Sequence, residues 1–265
     1  MGGIVFSPGC SESSERNPGY RPNEFHSSLP EACAQAAGRS AHKKAQALHF
    51  SPRDCHTETV KVHAQFVTAA ADPKHFPTPS APEIAFLGRS NVGKSTLINA
   101  LVGDRIAKTS NTPGRTQTIN FFELRRPGKP HPEFFFVDLP GYGYARVPKD
   151  LSSQWSQFID PYLKTRSSLA LCLSLVDVSI PPQKLDLQLL DWLRHHDRPF
   201  LVVATKADRV SNNQLRKSVP ALARELGIEP DRILPFSAKS QTGHASLWRA
   251  IQAAAGITIP SAAQK

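Results

Sequence analysis

Residues 88–95 have the sequence GRSNVGKS. It matches G-x-x-x-x-G-K-[ST], follows the apolar run Ile84–Leu87 and opens the helix-like segment Lys94–Val102, which is the context that the motif requires. Gly88 and Gly93 let the backbone curl so that its N–H groups face phosphate oxygens, and the following helix adds the positive end of its dipole. The sequence therefore predicts a phosphate-binding loop between a buried strand and a helix.

The side chains of this loop suit a nucleotide that carries a metal ion. We expect Lys94 to reach the β- and γ-phosphates as a compact charge, and the Ser95 hydroxyl to ligate Mg²⁺. The nucleotide contacts predicted for the loop are Gly88, Arg89, Ser90, Asn91, Val92, Gly93, Lys94 and Ser95.

Residues 138–141, DLPG, follow the strand-like run Phe134–Val137. A carboxylate at the tip of a neighbouring buried strand can bind Mg²⁺ directly or through water, and we assign Asp138 the water-mediated role. The N–H of Gly141 can contact a γ-phosphate, and this contact exists with a triphosphate and is lost with a diphosphate. Asp-Leu-Pro-Gly is also a plausible turn, but its position favours a nucleotide switch. The predicted contacts here are Asp138, Leu139, Pro140 and Gly141.

Two short motifs near the C-terminus predict the identity of the base. TKAD at residues 205–208 follows the apolar run Phe200–Ala204, and SAK at residues 237–239 follows Ile233–Phe236. A carboxylate in the first motif can accept the N1–H and the amino hydrogens of guanine, and adenine offers no such pair; a site built this way rejects the wrong base by about 10⁴-fold. The sequence therefore predicts GTP rather than ATP. The predicted contacts are Thr205, Lys206, Ala207, Asp208, Phe236, Ser237, Ala238 and Lys239.

A polar segment, residues 105–118, lies between the phosphate loop and DLPG and contains TPGRTQT. Its composition suits a segment that becomes ordered only around a γ-phosphate and Mg²⁺. Thr116 is the predicted Mg²⁺ ligand, and Thr112 and Thr118 are its competitors. The predicted nucleotide contacts are Gly114, Arg115, Thr116, Gln117 and Thr118.

Composition and hydrophobic periodicity change at residue 58. Residues 1–58 lack a sustained period and are predicted to be disordered or weakly structured; a transit peptide and translation from an upstream start codon are the alternatives. Residues 59–82 form a proline-rich lead-in, residues 83–258 the GTP-binding domain and residues 259–265 a tail. Apolar strands alternate with helices in that domain, which predicts a mostly parallel sheet covered on both faces. One hairpin, Thr118–Leu124 with Glu133–Asp138, adds an antiparallel strand.

Charge and cysteine content indicate the class of partner and the cellular compartment. The net charge is +10, and residues 59–265 hold all of it, with 26 Lys and Arg against 16 Asp and Glu. A net-basic domain favours polyanionic partners such as RNA. Four cysteines without metal-ligand spacing predict reduced thiols in the cytoplasm. No apolar run is long enough for a membrane helix, so no membrane association is expected.

The segments GRSNVGKST, KTSNTPGRTQTINFF, DLPGYGYA, TKAD and FSAK, in this order, resemble the EngB-type GTPases (also called YihA or YsxC) of the Ras-like P-loop superfamily. The resemblance covers about residues 60–258. It implies a three-layer α/β/α fold with a six-stranded, mostly parallel sheet that carries one antiparallel edge strand. It also implies GTP hydrolysis by a monomer, a role in late assembly of the large ribosomal subunit with rRNA and ribosomal proteins as partners, and a need in cell division and septation.

Two positions bear on catalysis in such a protein. Ras-like relatives that hydrolyse quickly place a glutamine after the DxxG glycine, whereas Tyr142 stands here, so we expect slow turnover. Asn91 occupies the loop position that K⁺-stimulated relatives use; our hypothesis is a K⁺ ligand, and the alternative is an asparagine that stabilises the loop. Tyr142 also keeps a second function open, namely a guanine-nucleotide-dependent interaction protein in septation with negligible hydrolysis.

Other charged residues carry weaker predictions. Asp186, Asp191 and Asp197 are predicted to form a solvated face. The candidate RNA contacts are Arg125, Arg126, Lys129, Arg146, Lys149, Lys164 and Arg166.

Overall fold

A computed structural model of the chain describes residues 62–108, 118–142 and 159–257. The predictions for residues 1–58 and for the tail lie outside these ranges. The described part contains one seven-stranded sheet in the order β1-β3-β4-β2-β5-β6-β7. Its strands are β1 (His63–Ala70), β2 (Glu83–Gly88), β3 (Ile119–Arg125), β4 (Phe134–Asp138), β5 (Leu169–Asp177), β6 (Phe200–Thr205) and β7 (Ile233–Pro235).

Helices cover both faces of the sheet, which confirms the predicted three-layer architecture. Their bounds are α1 (Lys94–Val102), α2 (Asp160–Thr165), α3 (Lys184–His195), α4 (Asn212–Leu226) and α5 (His244–Ala255). Apolar residues of α1 and α5 pack in one core, and those of α2, α3 and α4 pack in the other. None of the described helices is both long enough and apolar enough to span a bilayer.

The central strands are buried on both faces, as their continuous apolar sequences predict. All six residues of β2 are buried; Ala85 and Leu87 face one core, whereas Ile84 and Phe86 face the other. Parallel strands between two helix layers have this composition because neither face meets water. The predicted hairpin is confirmed, since β3 and β4 pair antiparallel.

The predicted number of strands was wrong, because the lead-in contains an additional strand. Strand β1 pairs antiparallel with β3 and forms the edge of the sheet, so β3 is an internal strand and not the edge. The pairing shifts register between Phe66 and Thr68, and most residues of β1 are exposed. A bulged edge strand has no regular apolar alternation, which is why its sequence did not indicate a strand.

The register of the parallel strands brings the carboxyl ends of five strands together at one end of the sheet. Strand β2 lies between β4 and β5, β6 pairs with β5, and β7 pairs with β6. The carboxyl ends of these strands are Gly88, Asp138, Asp177, Thr205 and Pro235. In open α/β sheets ligands bind outside these carboxyl ends, and the phosphate loop, DLPG, TKAD and SAK each follow or end one of these strands.

A buried ion pair closes the opposite end of the sheet. Glu83 is 1% exposed, and Arg166, at the end of α2, is 8% exposed. The Arg166 Nε atom donates to Glu83 Oε1 at 2.8 Å, and its guanidinium also donates to the Pro77 carbonyl at 2.6 Å. The hydroxyls of Tyr162 and Ser168 donate to the same carboxylate. The cluster ties the lead-in to the sheet, and the prediction of Arg166 as an RNA contact was wrong because the side chain is buried.

Candidate nucleotide-binding site

The phosphate loop has the backbone that its two glycines were predicted to allow. Gly93 has φ of +105°, in the left-handed region where a side chain is strained. Gly88 is required for space, because a Cβ atom there would lie 2.8 Å from Val92 Cγ1 and 3.2 Å from the Leu175 carbonyl oxygen. Asn91 also has a positive φ, +63°, a conformation that asparagine tolerates better than most residues.

The first turn of α1 and the end of β4 bring together the predicted metal and phosphate contacts. The Lys94 ammonium forms an ion pair with the Asp138 carboxylate, and both side chains are about nine-tenths buried. Ser95 is the next residue of α1. Within the described residues its hydroxyl has no protein hydrogen-bond partner, so it is available to a ligand.

The DLPG segment lies directly against the phosphate loop. Tyr142 pairs with Arg89 as an isolated parallel bridge; its N–H donates to the Gly88 carbonyl at 3.3 Å, and its carbonyl accepts from the Ser90 N–H at 2.9 Å. Gly141 is so close that a Cβ atom there would lie 3.1 Å from the Ser90 nitrogen. The glycine is therefore needed for the close approach of the two segments.

The two predicted base-recognition motifs contact each other. The Ser237 hydroxyl donates to Asp208 Oδ1 at 2.6 Å, and this hydrogen bond lowers the pKa of Asp208 below its ordinary value. The carboxylate therefore stays ionised at neutral pH and can accept hydrogens from a ligand. The Ser237 oxygen in turn accepts from the N–H groups of Lys239 and Ser240. The N–H of Ala238 has no acceptor among the described residues, so it remains available for a carbonyl oxygen such as guanine O6.

Lys206 forms an ion pair with a carboxylate at the end of β5. Its φ is +60°, and its ammonium lies 2.6 Å from Asp177 Oδ2 at the end of β5. Burial acts to raise the pKa of Asp177, but hydrogen bonds from Lys206 and Ser179 outweigh it and lower the pKa. The next residue, Ala207, donates its N–H to the Phe236 carbonyl at 3.1 Å and so joins the two base motifs through the backbone.

Thr205 links the base motifs to the phosphate loop. Its buried hydroxyl lies 2.7 Å from the Val92 carbonyl oxygen and 3.0 Å from that of Val176. A cavity of about 220 Å³ opens beside it. The lining residues come from the start of α1 and from the two base motifs with their immediate neighbours: Gly93, Thr96, Leu97, Thr205, Lys206, Asp208, Arg209, Phe236, Ala238 and Lys239.

The predicted switch segment is described only at its two ends. Gly114, Arg115, Thr116 and Gln117 lie outside the described residues, as does Thr112. The Thr118 hydroxyl donates to Asn120 Oδ1 at 3.2 Å.

One positioning contact at the entry of the switch segment was not predicted. Asn99 of α1 donates its amide to the Ala107 carbonyl at 2.9 Å and accepts the Ala107 N–H at 2.8 Å. Asparagine is a poor helix former, so its presence inside an apolar helix was the signal that could have revealed this contact.

Comparison with known proteins agrees with this geometry. A family model described as 50S ribosome-binding GTPase matches residues 83–206. "Probable GTP-binding protein EngB" of Koribacter versatilis is 64% identical over 204 residues, which are 77% of this chain and 100% of the relative. The chain belongs to the EngB family of GTP-binding proteins. The protein of the same name from Acidobacterium capsulatum is 54% identical over 71% of this chain and 89% of its own length.

Solved structures agree with the assignment to the EngB family. The crystal structure of a probable GTP-binding protein EngB has a TM-score of 0.53 and 25% identity, and the match covers 66% of this chain and 98% of that one. Aquifex aeolicus Era bound to GDP·AlF₄⁻ has a TM-score of 0.51 and 19% identity over 68% of this chain and 57% of its own, which supports the fold alone. The chain is thus a Ras-like P-loop GTPase of the EngB family.

Proposed function

We propose that the chain is a GTP-dependent switch in assembly of the large ribosomal subunit, and that its intrinsic GTP hydrolysis is slow. The observation that carries the proposal is the convergence of three features at one sheet edge: the phosphate loop, the DLPG segment packed against it, and the Asp208–Ser237 pair. GTP and GDP share the base and two phosphates. A contact from the Gly141 N–H to the γ-phosphate would distinguish them, because only GTP carries that group.

The residues at the site fit a bound Mg²⁺. Ser95 offers a hydroxyl and Asp138 a carboxylate, and these hard oxygen donors are the ligands that Mg²⁺ prefers. Thr116 is proposed as a further ligand. When bound, the ion neutralises charge that develops on the β- and γ-phosphates. Lys94, which pairs with Asp138 in the structure, supplies a positive charge to the same phosphates.

The environment of Tyr142 supports slow intrinsic hydrolysis. Its side chain is buried, and its hydroxyl donates to Asp186 at 3.0 Å in the protein interior. A side chain committed to that contact is not available to orient an attacking water, which is the role of glutamine at this position in relatives that hydrolyse quickly.

A ribosomal partner is supported by the family description, 50S ribosome-binding GTPase, and by the basic charge of residues 59–265. Three of the predicted RNA contacts are engaged in ion pairs: Arg125 with Glu123, Arg126 with Glu133 and Lys164 with Asp160. Lys129 is exposed at the tip of the β3–β4 hairpin and has no ion-pair partner among the described residues, so it is the preferred candidate. Arg146 and Lys149 lie outside the described residues. The proposed setting is the cytoplasm, where ribosomal subunits assemble.

Sedimentation on ribosome gradients tests the proposal. The tagged chain is loaded with GDP or with a non-hydrolysable GTP analogue, and its distribution across the gradient is measured at two salt concentrations. We expect co-sedimentation with large-subunit particles in the GTP-analogue state only, and a steep loss as salt rises. Co-sedimentation that is the same with both nucleotides would contradict the switch.

The burial of Tyr142 also favours a second function, a guanine-nucleotide-dependent interaction protein in septation that hydrolyses negligibly. Phosphate release measured with and without ribosomal subunits separates the two functions. Stimulation by large subunits supports the assembly switch, whereas release that stays at background in both samples supports the interaction protein.

A further inference from the structure

Tyr142, which directly follows the DLPG motif, connects the phosphate loop to α3, a contact that the sequence did not predict. Its side chain is 7% exposed, and its hydroxyl donates to Asp186 Oδ1 at 3.0 Å. Asp186 is 3% exposed, and its other oxygen accepts the Gln183 N–H at 2.8 Å, so it caps the start of α3. The prediction of Asp186 as part of a solvated face was therefore wrong.

The backbone of the same tyrosine is fixed to the phosphate loop. The two hydrogen bonds to Gly88 and Ser90 join it to that loop on both sides of Arg89. Tyr142 is thus held by its main chain at the loop and by its side chain at α3, and Gly141, the last residue of DLPG, directly precedes this doubly anchored residue.

We propose that Tyr142 is a positioning residue that, through Asp186, holds the Gly141 N–H at the phosphate loop and thereby favours GTP over GDP. The inference rests on the proposed function, since it takes Gly141 as the γ-phosphate contact. Burial, reinforced by the Asp186 charge, raises the pKa of Tyr142 well above its ordinary value, so its hydroxyl remains a proton donor at neutral pH.

The preference for GTP follows from preorganisation. Among the described residues the Gly141 N–H donates to no protein acceptor, although it is held in contact with the loop. A donor fixed in advance binds an anion without a further ordering cost, whereas a loosened donor must be ordered when the γ-phosphate arrives. GDP has no γ-phosphate, so its binding does not depend on the anchor.

Tyr142→Phe tests the inference, and Tyr162→Phe is its matched control. Tyr162 is also buried and also donates its hydroxyl to a buried carboxylate, that of Glu83 at 2.9 Å, but at the opposite end of β2. Affinities for GDP and a non-hydrolysable GTP analogue are measured by calorimetry with Mg²⁺. We expect Tyr142→Phe to weaken the GTP analogue by about tenfold, the size of one hydrogen bond to a charged group, and to leave GDP binding unchanged. Tyr162→Phe leaves the ratio of the two affinities unchanged.

A second variant removes the same bond from the other partner. Asp186→Ala must shift the ratio in the same direction, and the double variant with Tyr142→Phe must shift it no further than the larger single effect. Should Tyr142→Phe not fold, Asp186→Ala compared with Tyr162→Phe decides. An unchanged ratio, an equal loss for both nucleotides or an equal shift in the control overturns the inference. A wild-type chain without preference for guanosine nucleotides would instead overturn the proposed function.

Discussion

Thr205→Val tests whether one buried hydroxyl holds the base motifs against the phosphate loop. The hydroxyl of Thr205 lies within 2.7 Å of the Val92 carbonyl oxygen and 3.0 Å of the Val176 carbonyl oxygen, and the residue is 3% exposed. Valine has nearly the same shape, so the substitution removes the hydrogen bond and leaves no cavity.

The size of the effect follows from the burial of the groups involved. A buried carbonyl that loses its donor costs about 1–3 kcal/mol, and the added methyl group recovers up to about 0.8 kcal/mol. We therefore expect the free energy of unfolding to fall by about 1–2 kcal/mol. GTP and GDP both span the base motifs and the phosphate loop, so their affinities should fall together, by up to about tenfold.

Urea unfolding, followed by tryptophan fluorescence, and nucleotide calorimetry measure the two effects. Ser174→Ala is the matched control, because the Ser174 hydroxyl on β5 is fully buried and has no hydrogen-bond partner among the described residues. Its removal should leave stability and affinity unchanged or improved. The reasoning is refuted if Thr205→Val is as stable as the wild type, if it weakens only one nucleotide, or if Ser174→Ala costs as much.

Three further predictions concern other parts of the molecule. Arg166→Met leaves the buried Glu83 charge unpaired and should lower the free energy of unfolding by about 3–5 kcal/mol. Arg126→Met, which breaks the more exposed pair with Glu133, should lower it by less than about 1 kcal/mol. Equal urea unfolding midpoints for the two variants would contradict this. Asp208→Asn should weaken the preference for guanosine over adenosine nucleotides, which a competition assay measures; an unchanged preference would remove Asp208 from base recognition. If Asn91 helps hold K⁺, GTP turnover should be faster in K⁺ than in equimolar Na⁺, and equal rates would reject the idea.

The sequence predicted those features that depend on the ends of parallel strands. Asp138, Thr205 and Ser237 could be brought to one edge because apolar runs of β4, β6 and β7 precede them and parallel strands end at the same edge. The order of motifs and strands along the chain was therefore enough to predict which segments form the site, without knowledge of any side-chain contact.

The features that the sequence did not predict depend on contacts between distant segments. Asp186 lies on a helix with other acids, and its buried partner Tyr142 is 44 residues away in the sequence. Arg166 and Glu83 are 83 residues apart, and each alone resembles a surface charge. Local periodicity contains no information about such partners, and the exposed edge strand β1 lacked periodicity altogether.

The cavity beside Thr205 links the stability of the fold to nucleotide binding. Its walls come from the start of α1, the end of β6 and the segment after β7, which are far apart in sequence. A guanine nucleotide seated there would act as a removable cross-link, and at a free concentration one hundred times its dissociation constant it would add about 2.7 kcal/mol to stability. When guanine nucleotides are scarce, this contribution to the free energy of unfolding would be lost. The chain would then unfold more often and would be degraded more readily in starved cells.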